Sequence, residues 1–162
     1  SKRVNQLPLL LINEHGRRYI RKRFAPGDGY FGTPHSGRGL AIGDLDEDGD
    51  ADLVFSNNVQ PAAIVENQTS NQNHYVRVRL IGRTGNRDAV GAFLVLHTSG
   101  KDQLRMIKGG GSYLSQSEPR VYWGVPAGVE VTGLTVTWPG GIQQTIDSIK
   151  LDDTAVLLEP LE

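Results

Sequence analysis

Apolar and polar residues alternate with a period of two over most of the second half of the chain. In Tyr75-Val76-Arg77-Val78-Arg79-Leu80 the alternation places Val76, Val78 and Leu80 inward and both arginines outward. Leu134, Val136 and Trp138 share one side of a later segment, with Gly133, Thr135 and Thr137 on the other. Further strands are predicted at residues 89–97, 103–108, 120–123, 142–146 and 155–159, and residues 146–151 could form a single helical turn. The first half carries weaker signals. Residues 8–13 read as a short buried strand, residues 14–17 as a turn and residues 18–24 as a returning strand. Residues 39–43, a buried segment at 53–56, and residues 62–66 are further short strands. Strands about every ten residues, with turn signals between them and no convincing helical period, predict an all-β fold. The expected architecture is an antiparallel β-sandwich or barrel-like C-terminal domain preceded by a partial propeller-blade-like segment.

The stretch 67–73, Asn-Gln-Thr-Ser-Asn-Gln-Asn, is wholly polar and cannot bury anything, which makes it the best boundary. It divides the chain into residues 1–70 and 73–162. No apolar run approaches the roughly 20 residues of a membrane helix, so membrane insertion is not expected. There is no cysteine, which removes disulfides and thiolate chemistry. The sequence begins at Ser1 without Met and shows no signal peptide, and it reads as a piece of a longer protein.

Charge changes the picture more than composition does. The formal net charge is −1, yet Asp44, Asp46, Glu47, Asp48, Asp50 and Asp52 place six of the 18 acids within nine residues. The rest of the chain holds 12 acids against 17 bases. Six like charges with no base among them repel unless a cation is present. Counting from Asp44, carboxylates occupy loop positions 1, 3, 5 and 9, and Gly49 occupies position 6. Calcium takes six to eight oxygens, and a tightly curled loop can turn alternate carboxylates onto one ion. Gly49 permits the positive-φ turn that folds the loop back. The expected ligand set is Asp44, Asp46, Asp48 and Asp52 through side chains and Asp50 through its backbone carbonyl. Mg²⁺ suits the loop less, because it keeps several waters. The flanks read as strands and position 12 is Phe55, so the loop is not an EF-hand.

Residues 39–53 resemble the calcium loop of FG-GAP/VCBS repeats, the blades of integrin-type β-propellers. Residues 12–24 look like the end of a preceding blade, in a degraded form of Leu-x-x-Asn-x-x-Gly-x-x-Phe. From Asn73 onward the chain resembles the ASPIC/UnbV domain of cartilage-acidic-protein-like chains. The matching stretches are Asn86-Arg87-Asp88-Ala89-Val90-Gly91-Ala92, Gly111-Ser112-Tyr113-Leu114-Ser115-Gln116-Ser117 and Val136-Thr137-Trp138-Pro139-Gly140-Gly141. The family's Phe-Gly-Leu-Gly element is replaced by Trp123-Gly124-Val125-Pro126. The resemblance implies a secreted, cell-surface or envelope protein in which propeller blades precede a β-rich cap. One blade cannot close a propeller, so residues 1–70 are expected to pack on the sandwich and, in a longer parent chain, against upstream blades.

Other chemistry is thinner. His15, His35, His74 and His97 are scattered without metal-ligand spacing, and there is no Gly-x-Ser-x-Gly elbow. Gly109-Gly110-Gly111-Ser112 lacks the lysine and helix of a phosphate loop and reads as a hairpin turn or bulge. Among Trp123, Trp138, Tyr113 and Tyr122, core packing is favoured for Trp138, and Tyr113 is the candidate for contacting a ligand such as a sugar. The bases Arg17, Arg18, Arg21, Lys22, Arg23, Arg77, Arg79, Arg83 and Arg87 read as a solvated face, and the near-neutral total charge argues against nucleic acid. The resulting expectation is a calcium-binding, non-catalytic module for adhesion, scaffolding or protein interaction. A carbohydrate-binding module is the alternative, and an enzyme fragment a remote one.

Overall fold

A computed structural model describes residues 5–14, 16–69 and 72–161. His15 of the predicted first turn, and Ser70 and Asn71 of the predicted boundary, lie outside the described residues. Twelve strands are formed, and there is no helix among the described residues. They are β1 (Leu10–Glu14), β2 (Arg18–Lys22), β3 (Gly37–Gly43), β4 (Asp52–Asn57), β5 (Ala63–Val65), β6 (His74–Ile81), β7 (Phe93–Thr98), β8 (Gln103–Met106), β9 (Arg120–Val125), β10 (Val131–Thr137), β11 (Gln143–Ile146) and β12 (Asp153–Leu158). The helical turn expected at 146–151 is replaced by a bend after β11 and a turn at residues 151–152.

The strands after β5 build a sandwich, as the alternation predicts. One sheet has the order β11-β10-β7-β8 and the other β12-β6-β9. Val76, Val78 and Leu80 of β6, with Val121, Trp123 and Val125 of β9, meet Leu94, Leu96, Leu134 and Val136 of the opposite sheet in one buried cluster. Trp138 closes that cluster from the turn at 138–142, where its N–H donates to the Ile142 carbonyl at 2.8 Å. All pairings are antiparallel except β12 against β6, which run parallel with Val78 opposite Ala155.

Strand β7 starts at Phe93, not at Ala89. Asn86 explains the delay: its side chain accepts from the Val90 N–H at 2.6 Å and donates to the Val90 carbonyl at 3.1 Å. Residues 86–90 are thereby curled into a turn, with Ala89 at φ 50°. The triple glycine at 109–111 forms neither a hairpin turn nor a bulge but opens the long connection from β8 to β9.

The first half is built differently. Strands β1 and β2 form a hairpin, and β3, β4 and β5 an antiparallel sheet. Among the described residues every buried hydrophobic side chain lies at or after Val76. In place of an aliphatic core stands an aromatic stack, with the Tyr30 ring 4.0 Å from His35 and 4.3 Å from Phe55. The strand expected to be buried at residues 8–13 is not: Leu9, Leu11 and Ile12 are about half exposed. Strand β4 is half-buried at Leu53, Val54 and Phe55. An apolar run specifies a strand, but it is buried only where another layer faces it.

Three serines fasten the halves together. Leu40 N–H donates to Ser112 Oγ, Ser115 Oγ donates to the Leu40 carbonyl, and Ile42 N–H donates to Ser117 Oγ. The Glu118 N–H completes the seam on the Ile42 carbonyl at 3.1 Å. Residues 112–118 thus cover the free edge of β3, largely with side-chain hydroxyls in place of a backbone ladder.

At the far end of β12 the carboxylate of Glu159, 2 % exposed, accepts from the Arg83 and Thr84 N–H groups at 2.6 and 2.8 Å and from the Thr84 hydroxyl at 2.7 Å. These donors hold its carboxyl below the ordinary value of 4.5. A depressed carboxylate stabilises the fold above its unfolded pKa, and that contribution is lost as the pH falls through the lower folded value. We therefore expect stability to decline from about pH 4.5 downward, and Glu159→Gln to flatten that acid limb in a melting-temperature series against pH. An unchanged acid limb would exclude Glu159 as its source.

Candidate metal site

The acidic loop joins β3 to β4. Strand β3 ends at Gly43, so Asp44 leaves the sheet at its edge, and Asp52 is the first residue of the returning strand. Between them the loop folds onto its own carboxylates. Gly49 N–H donates to Asp44 Oδ2 at 3.0 Å, Asp50 N–H to Asp48 Oδ1 at 2.9 Å, and Asp48 N–H to Asp46 Oδ1 at 3.3 Å. Gly49 sits at φ 100°, as the sixth position requires, and Glu47 at φ 62° makes a second left-handed residue.

The folding brings three of the five expected ligands together. Asp44, Asp46 and Asp48 each offer a carboxylate oxygen, and these oxygens lie within 4.8 Å of one another. Oxygens bound to one calcium at roughly 2.3–2.6 Å are separated by no more than about twice that length, so the spacing fits. Asp44 is buried, and its Oδ1 is a buried oxygen with no hydrogen-bond partner. A buried carboxylate oxygen without a donor is costly, and a hard cation would supply what is missing. The residues present therefore fit a calcium ion.

Asp52 and Asp50 behave differently. Asp52 is 1 % exposed, and its two oxygens accept from the N–H groups of Leu45 and Asn67 at 2.9 and 2.8 Å. It ties the two ends of the loop to the segment that follows β5 and lies outside the group of three. The Asp50 carboxyl is pushed up, first by burial and then by the charges of Asp48, Asp44, Asp52 and Asp46.

What alternation missed is the wall behind the loop. Arg77, predicted outward, is 5 % exposed and pairs with Asp44 Oδ2. Its Nε–H donates to Thr154 Oγ1 on β12, and its guanidinium carbon lies 5.7 Å from the centre of the Tyr75 ring. The outer face of β6 is therefore covered by the acidic loop at Arg77 while Arg79 stays exposed, and Arg77 leaves the set of exposed bases. Arg120 pairs with Glu118 and approaches Glu47 at 4.0 Å, while the Asp44 N–H donates to Glu118 at 3.4 Å. An acidic loop with no internal base was itself the signal that a base must come from elsewhere in the chain.

Tyr113 is 65 % exposed beside Leu114, 88 % exposed, at the tip of the serine-fastened connection. It borders a shallow depression shared with Val90, Met106 and Lys108. His74 pairs with Asp152 at 2.7 Å. His97 bridges Asp102 and Thr135, each at 2.9 Å, on the outer face of its sheet, where the Asp102 side chain is 57 % exposed. That chain has the order of a nucleophile–base–acid relay but lies on an open sheet surface.

Two face-to-face sheets with an acidic loop docked on one of them define an all-β module, and residues 82–161 match the ASPIC and UnbV family. The chain carries an ASPIC/UnbV domain. It is 31 % identical to cartilage acidic protein 1 of Mus musculus over 99 % of its own length and 25 % of the relative's. The protein of the same name from Homo sapiens is also 31 % identical over 99 % of the chain, and that from Xenopus tropicalis 37 % identical over 65 % of it. The chain spans about a quarter of the length of the mouse and human relatives.

Proposed function

We propose that this chain is a calcium-binding, non-catalytic module of a secreted or cell-surface protein, serving adhesion, scaffolding or protein interaction. The observation that carries the reading is the donor-less, buried Oδ1 of Asp44 beside the carboxylates of Asp46 and Asp48. Calcium is then a structural brace. It neutralises the acidic loop and fixes β4 against the sandwich at the place where Arg77 and Tyr75 receive it. The resemblance of residues 39–53 to FG-GAP/VCBS loops supports the same reading, as does the name cartilage acidic protein for the relatives. Exposed Leu9, Leu11 and Ile12 suit a segment that meets upstream blades in a longer chain.

Calcium at about one hundred times its dissociation constant should stabilise the fold by about 2.7 kcal/mol, a rise of roughly 5–10 °C in Tm for a chain of this size. EDTA should reverse the rise, and Asp46→Ala with Asp48→Ala should abolish it. A melting curve indifferent to calcium and chelator would sink the proposal. A second reading, glycan binding, is favoured by one observation: Tyr113 stands out from a rigidly fastened loop. A glycan array read with Tyr113→Ala as control tests it, and no signal above background would leave the scaffold reading alone.

A further inference from the structure

Asp44 divides its two oxygens between two kinds of partner. Oδ2 takes the Arg77 guanidinium and the Gly49 N–H, while Oδ1 is the donor-less oxygen. The side chains of this pair are 0 % and 6 % exposed, so water screens the interaction little. Arg77 is also not free to swing away, because Thr154 holds its Nε and the Tyr75 ring lies against its guanidinium. A fixed positive charge therefore stands permanently on the carboxylate that the metal would share.

We infer that Arg77 is a built-in competitor of the metal: an internal cation that keeps the acidic loop docked on the sandwich when no ion is bound and weakens the binding of an ion that arrives. The inference rests on the calcium reading above. Its physics is short-range repulsion between a guanidinium and a divalent ion that share one buried carboxylate. In the metal-free protein Arg77 offsets part of the repulsion among the loop's acids. In the calcium-bound protein it opposes the ion. The site is thereby set for an environment rich in calcium, and the junction between the two halves survives loss of the ion.

The two consequences have opposite signs, which separates this role from simple support. Were Arg77 only a positioning residue for Asp44, its replacement would weaken both folding and calcium binding. As a competitor, its replacement by a neutral residue weakens the metal-free fold and tightens calcium binding. The test is isothermal titration of the chelator-stripped chain with CaCl2 at pH 8, with Tm measured in EDTA, for the wild type, Arg77→Gln and Arg77→Lys. Arg77→Gln should bind calcium at least tenfold more tightly and melt lower in EDTA. Arg77→Lys, which keeps the charge, should stay within about threefold of the wild-type affinity. Should Arg77→Gln be unfolded without metal, recovery of its circular dichroism on adding CaCl2 supports the inference, and failure to refold at millimolar CaCl2 overturns it. Unchanged or weaker binding by a folded Arg77→Gln overturns the inference and leaves the calcium site standing. Absence of heat and of any Tm response to calcium in the wild type removes both.

Discussion

Trp123→Ala should lower the stability of the sandwich by about 3–5 kcal/mol, the range for truncating a large buried aromatic. Trp123 lies on β9 with 1 % of its surface exposed, among Val76, Val78, Leu94 and Leu96. It does two things at once. Its ring fills the space between the sheets, and its indole N–H donates across that space to the Gln103 carbonyl on β8 at 3.2 Å. Truncation therefore opens a cavity and leaves a part-buried carbonyl without its donor. Small domains hold only about 5–15 kcal/mol in total, so a loss of this size brings the sandwich close to unfolding. The measurement is a urea titration followed by the fluorescence of Trp138, the one other tryptophan. The midpoint should fall by about 1–5 M, given a urea dependence of about 1–3 kcal/mol per molar. Trp123→Phe keeps most of the packing and loses the hydrogen bond, so it should cost less than half as much. A loss below about 1 kcal/mol for the alanine variant would mean that the two sheets do not share this core.

This core is also the part of the molecule most legible in the sequence, for a physical reason. The period-two pattern of Val76, Val78 and Leu80, or of Leu134, Val136 and Trp138, is the direct imprint of a sheet with one face buried. Trp138-Pro139-Gly140-Gly141 marks its turn equally well, because Gly141 supplies φ 93° there. The same rule misplaces Arg77, since alternation tells which residues share a face and not what covers the opposite face. That face is covered by a loop some thirty residues earlier in the chain, a contact no local pattern encodes. Strand direction is equally silent: Ala155 and Leu157 alternate whether β12 runs parallel or antiparallel to β6. In the acidic loop, spacing groups Asp44, Asp46 and Asp48, whose carboxylate oxygens lie within 4.8 Å of one another. It could not show that both oxygens of Asp52 are taken by backbone N–H groups, because one donor belongs to Asn67, beyond β5. The serine seam at 112–118 was likewise invisible, as hydroxyl-rich loops carry no mark of the strand edge they will cover.

Gly49 is where the loop and the wall behind it meet, and Gly49→Ala should destabilise the protein by roughly 2–6 kcal/mol. Two independent costs add. The residue sits at φ 100°, a region that side chains avoid at about 1–3 kcal/mol. A Cβ there would also overlap the Tyr75 ring, an overpacking cost of about 1–3 kcal/mol unless the ring moves. The ring is poorly placed to move, because Arg77, two residues along β6, packs its guanidinium against it and is itself paired to Asp44. A displaced Gly49 would further pull its N–H from Asp44 Oδ2, so the rise in Tm proposed for calcium should shrink along with stability. A double-mutant cycle with Tyr75→Ala separates the two costs. In the Tyr75→Ala background the overlap is gone and the backbone strain stays, so Gly49→Ala should cost about half as much as it does in the wild type. Urea midpoints in EDTA for the four proteins give the cycle. A coupling near zero would mean that the loop is strained by its own turn alone. A Gly49→Ala cost below about 0.5 kcal/mol would mean that the loop does not rest on β6 at all.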